Sequence, residues 1–121
     1  MMARILLFLA GFGLWTVCAM PAAGPHGIHE GWDQPGYWTF GVPLLLLTQA
    51  AATPWLGERP MLQPIWAIAG HTAAMIILHP AGTDLGLLPL TLLLLGLPAY
   101  GALYLAGMLA RTVLPILRRD G

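Results

Sequence analysis

"RILLFLAGFGLWTVCAMPAAGPHGIHE", residues 4–30, opens on an arginine, closes on a glutamate and carries no charge between them. A helix crossing a hydrocarbon core of about 30 Å needs roughly 20 apolar residues. The 25 uncharged positions here, 5–29, make one such span plus short ends. The pattern recurs three times. Asp33 to Glu58 encloses 24 uncharged residues, Arg59 to Asp84 another 24, and Asp84 to Arg111 a further 26. The spacing predicts an all-α integral membrane protein with four transmembrane helices, at about 4–21, 37–56, 62–79 and 86–110. Residues 1–121 form one transmembrane domain, ending in a short basic cytoplasmic tail at about 111–121. Short connections predict an up-down bundle in which sequence neighbours pack antiparallel.

Composition points the same way. Of 121 residues, 58% are hydrophobic and 8% charged, against about 25% charged in a soluble domain. So few charges cannot cover a water-facing surface. The formal net charge is zero, which excludes a basic nucleic-acid face. One cysteine, Cys18, permits no intrachain disulfide. There is no serine, no glycine-rich phosphate loop and no pair of buried carboxylates. Cys18 has no neighbouring charge to lower its pKa. The sequence therefore leans away from an enzyme.

The arginines set the orientation. With the N-terminus inside, Arg4, Arg59, Arg111, Arg118 and Arg119 all fall on the cytoplasmic side, so both termini are cytoplasmic. The expected location is a bacterial inner (plasma) membrane, with multiple passes. A second reading concerns the first span. Arg4, the apolar run and "PAAG" also have the outline of a cleavable signal peptide over residues 1–23. The length of the run and the bulk of Trp15 favour retention.

The polar residues fall mostly at the opposite end. His26, His29, Glu30 and Asp33 occupy the first outer loop, and His79 and Asp84 the second. Imidazole with carboxylate suits zinc, and imidazole with thioether suits copper. His26, His29, Glu30 and His79 are thus candidate metal ligands, beside the plainer reading of a polar cap or solvated loop. His71, Met75 and His79, spaced by four, share one helix face. An ionisable residue inside a membrane helix points to function, which singles out His71, with Met75 and Gln49 as further intramembrane polar candidates. His71 could serve a proton relay, a substrate or a haem. Haem would require a partner or second copy, or a methionine such as Met20 or Met108. The plain alternative is a hydrogen bond from His71 to Gln49 or Thr72.

Small residues spaced by four, Gly70 with Ala74 and the stripe Ala102, Ala106, Ala110, mark helix-packing faces. Pro98 is expected to kink the fourth helix. Trp32, Tyr37, Trp38, Trp55 and Trp66 lie near span ends, where aromatic rings anchor at the headgroup level. The resulting functional expectation is an accessory or scaffold subunit, in contact with lipid and with other membrane subunits or copies of itself. The alternative is a homo-oligomeric carrier of a metal ion or proton.

Overall fold

The computed structural model describes residues 1–19, 35–78 and 88–119. Among these the chain is helical, with no strand. α1 is Met2–Ala19, α2 Val42–Ala52, α3 Pro64–Ile77 and α4 Leu88–Arg119. A π-helical turn, Tyr37–Gly41, leads into α2, and 3-10 turns at Thr53–Trp55 and Pro60–Leu62 join α2 to α3. Proline punctuates the helices. Pro43 and Pro64 sit in the first turns of α2 and α3, where a missing N–H costs nothing. Pro54 stands in the 3-10 turn that ends α2. Its lack of a donor stops the α-helical ladder there.

Two expected boundaries shift. The third helix is 14 residues long, a length of about 21 Å, shorter than the expected 62–79. The fourth runs through to Arg119, so most of the expected tail from 111 onward is helix. It is continuous through Pro98 and Pro115. Of the described helices, one stretch, Leu93–Leu117, is both long and apolar enough to cross a membrane by length and composition. Only 11% of its apolar window is buried within the chain, unlike the core helix of a soluble domain.

The helices alternate in direction. Leu7 packs with Ala67, and Trp15 with Ala74 and Met75, so α1 and α3 run parallel. Tyr37 joins the second group and Ala52 and Leu56 the first, so α2 runs against both. Tyr100 donates to the Met61 carbonyl at 2.6 Å and Arg111 to the Glu58 carbonyl at 3.5 Å, at the end where α3 begins.

The lateral order differs from the expected one. The most extensive interface joins α1 to α3, and α4 leans chiefly on α2. α2 and α3, neighbours in sequence, share the smallest contact of the four helices' major pairings. The reason is a pair of glycines. A Cβ built on Gly11 would overlap the Ala67 carbonyl, and one built on Gly70 would overlap the Phe8 carbonyl. The backbones of α1 and α3 touch, which only residues without side chains allow. This seam, not loop length, chooses the partner of α1.

Two apolar layers fill the bundle. Leu7, Ala52, Leu56, Ala67 and Leu103 form one, and Trp15, Tyr37, Ala74 and Met75 the other. Ala74 is fully buried, as its place in a packing face requires. On α4, Ala102 is exposed and Ala106 and Ala110 are half-buried. The residues of α4 that turn fully inward are Leu103 and Gly107.

The seam makes a signed prediction. Gly70→Ala should lower stability by about 1–3 kcal/mol, since backbone atoms cannot yield as a side chain can. Gly13, on the same helix as Gly11, has nothing within 4 Å of a built Cβ. Gly13→Ala should be neutral or raise stability by about 0.5 kcal/mol through helix propensity. Unfolding curves in detergent against added denaturant measure both. Equal effects would remove the seam from the explanation.

Candidate functional site

His71, in the middle of α3, lies on the side of the bundle away from the Arg4–Glu58 contact. Tyr37 Oη is 2.8 Å from His71 Nε2. The Trp15 ring meets the imidazole edge-on, with centroids 4.9 Å apart and planes at 70°. The Tyr37 ring stands 5.9 Å from the imidazole at 65°, and Trp38 packs edge-on against Tyr37 at 5.0 Å. Three elements hold this group. The π-turn brings Tyr37, α1 brings Trp15, and α3 brings His71. Tyr37 is only 8% exposed. It is therefore not the headgroup anchor that its position near a span end suggests, because its hydroxyl is committed to the interior. The expected partner of His71, Gln49 or Thr72, is replaced by this tyrosine.

His71 also opens onto a cavity of about 290 Å³ between α2, α3 and α4. Its walls are almost wholly apolar, with Leu46, Met75, Gly96 and Leu103 among them, and Tyr37, Trp38 and Thr72 beside the imidazole. His71 and Met75 thus share the cavity wall, as their spacing of four predicts. The third member of that face, His79, lies outside the described residues, as do His26, His29, Glu30, Asp33 and Asp84. Among the described residues no three His, Cys, Asp or Glu side chains converge as metal ligands. Met20 is likewise outside the described residues. Met108 follows Gly107, which sits at the level of Gln63, nearer the other end of the bundle than His71.

A second polar group occupies the arginine end. Gln49, Thr53 and Gln63 are buried, and they gather over Gly107. A Cβ there would lie 3.1 Å from Thr53 Oγ1, 3.7 Å from Gln63 Oε1 and 3.9 Å from Gln49 Nε2. Gln63 Nε2 donates to the Leu56 and Glu58 carbonyls at 3.4 and 3.3 Å. Among the described residues neither side-chain polar atom of Gln49 has a partner. The threonines solve the same problem locally. Thr16, Thr39, Thr48 and Thr53 each donate to the carbonyl four residues earlier, at 2.8–2.9 Å, and Thr112 donates to Leu109 at 2.9 Å. Such back-bonding satisfies a hydroxyl without a neighbouring helix.

Beyond Gln63, the Glu58 carboxylate ties three elements together. It pairs with Arg4 of α1, and it accepts from Trp66 Nε1 of α3 at 3.0 and 3.1 Å. Arg4 in turn stands 5.6 Å above the Trp66 ring, within reach of a cation–π attraction. The glutamate side chain is 9% exposed and the arginine 46%, so this end of the structure is half-wet.

Sequence reasoning reached His71, Met75, Gln49, Gly70 and Ala74, and missed Tyr37, Trp15, Gly11 and Glu58 as structural partners. Glu58 carried a usable signal: it stands beside Arg59 in the same connection that the arginine pattern places with Arg4. The chain matches no family model, no curated protein and no solved structure.

The two buried polar groups should respond oppositely to removal. Tyr37→Phe strips His71 of its partner and should cost about 1–3 kcal/mol. Gln49→Met removes a buried amide that has none and should be neutral or stabilising, by up to about 1 kcal/mol. Thermal unfolding in detergent reads both. A large loss at Gln49 would show that its amide has a partner.

Proposed function

We propose that this chain is a four-pass membrane protein of the bacterial inner membrane, with both termini cytoplasmic, that serves as an accessory or scaffold subunit of a larger membrane assembly. The observation that carries the reading is the outward face of α4. Leu105, Leu109, Ile116 and Leu117 are each 59–63% exposed. Contiguous apolar surface of this kind is rare on a soluble monomer and marks contact with lipid or with another protein. The helix also outruns the bundle. Arg111 already meets the Glu58 connection, and α4 continues to Arg119, a further 12 Å or about that. That projecting segment, apolar and flanked by arginines, is a ready contact for a neighbouring subunit at the cytoplasmic surface.

The orientation rests on the arginine end. Arg4 of α1 and Arg111 of α4 both meet Glu58 in the connection that carries Arg59, as a common cytoplasmic side requires. The carrier reading is the weaker one. Between the Gln49 group and His71, the bundle is filled by Leu7, Ala67 and Leu103, which supports a packed interior over an aqueous path.

Two measurements test the proposal. With Cys18 replaced by alanine, a cysteine introduced at exposed Arg59 should resist a membrane-impermeant maleimide in intact cells and react in inverted vesicles. Reaction in intact cells would reverse the orientation. Purified in a mild detergent, the tagged chain should bring defined partners with it, and deleting residues 112–121 should release them. A monodisperse particle without partners overturns the accessory role.

A further inference from the structure

We propose that the cavity beside His71 is a binding site for a small membrane-soluble ring compound bearing a hydrogen-bond-accepting oxygen, of the benzoquinone type, held by the His71–Tyr37 pair. This inference is independent of the accessory role.

The His71–Tyr37 pair has one proton more than its own bond uses. A neutral imidazole has one donor and one acceptor nitrogen, and a phenol has one donor. If the Tyr37 hydroxyl donates to Nε2, the proton of His71 sits on Nδ1. If Nε2 donates to the tyrosine oxygen, the phenolic proton is the one left over. Either way the pair, bonded at 2.8 Å, retains one donor that no described residue accepts. His71 and Tyr37 both line the cavity, and an oxygen acceptor entering it can take that donor.

The size of the cavity limits the guest. The space of about 290 Å³ lies at the small end of ligand pockets, roughly 300–1,000 Å³. It takes a single ring and excludes a sterol or a haem. Apolar walls with a few convergent polar groups are the ordinary build of such sites. The aromatic rings of Tyr37 and Trp38 at one end offer edges and faces for a planar guest. A lipid acyl chain would fill the volume but would leave the donor unmet.

The imidazole is held in place by its neighbours. Trp15 and Tyr37 bracket the ring from two other elements, so His71 is oriented before any guest arrives, which reduces the entropy lost on binding.

The structure also supplies a variant that separates binding from folding. Gly96 lines the cavity, and a Cβ built there meets nothing within 4 Å. Gly96→Leu, on α4 and away from the elements that carry the polar pair, is expected to reduce the space. The probe is a benzoquinone with a short alkyl tail, titrated into the full-length detergent-purified protein, with binding read by tryptophan fluorescence quenching and by isothermal calorimetry. Wild type should bind saturably at one site per chain. Gly96→Leu should abolish the saturable component while its unfolding midpoint holds. His71→Leu should weaken binding about tenfold, the loss of one buried hydrogen bond, and the ring-reduced probe, which keeps hydroxyl oxygens, should compete. If wild type and Gly96→Leu quench alike and without saturation, the probe merely partitions into the micelle and the proposal fails. If Gly96→Leu abolishes binding but His71→Leu leaves it unchanged, the polar pair is not the recognition element and the proposal fails in that form.

Discussion

The contact of bare backbone on bare backbone, Gly11 against Ala67 and Gly70 against Phe8, governs the rest of the molecule. Because α1 and α3 approach this closely, residues one turn along each helix are forced together. On one side of the crossing, Leu7 meets Ala67 in the lower apolar layer. On the other, the Trp15 ring reaches His71. A wider separation of these helices would leave the imidazole without its aromatic neighbour, and would part the surfaces on which Tyr37 and the π-turn rest. The polar group beside the cavity is thus a product of two absent side chains on the seam that His71 itself adjoins.

Polar groups inside this bundle are handled by three different means. Threonine hydroxyls fold back onto their own helix, which asks nothing of the neighbours. Gln63 and Trp66 donate across to the connection around Glu58, and so fasten α3 to it. His71 depends on a single tyrosine from a distant part of the chain. The order is one of increasing reliance on tertiary structure. The groups around Glu58 and His71 are the ones that local geometry alone cannot satisfy.

That order explains what could be read beforehand. Helical character and the approximate limits of the four segments followed from the intervals between charges, because solvation of a charge is a local matter. Gly70 and Ala74 were visible as a packing pair from spacing alone. Which helix received them was not, since Gly11 stands in an apolar run where nothing distinguishes it from Gly13. The burial of Tyr37 was hidden for the same reason. A tyrosine at a helix end reads as an anchor until the partner of its hydroxyl is known, and that partner is 34 positions away. The end of α4 was misjudged because arginines suggest a solvated tail, whereas their long stems are compatible with helix and with the apolar residues between them.

The glycine seam also dictates a timetable. The chain is made from its N-terminus, and α1 emerges first with Gly11 exposed along its side. Its true mate is neither the next helix nor one that runs back against it. Translation must proceed through α2 and on to Gly70 before the two bare surfaces can meet, and the Arg4 guanidinium must wait for Glu58. During that interval α1 has only its lighter contact with α2 to hold it. The nascent chain therefore passes through a two-helix stage whose tightest interface is still half-synthesised.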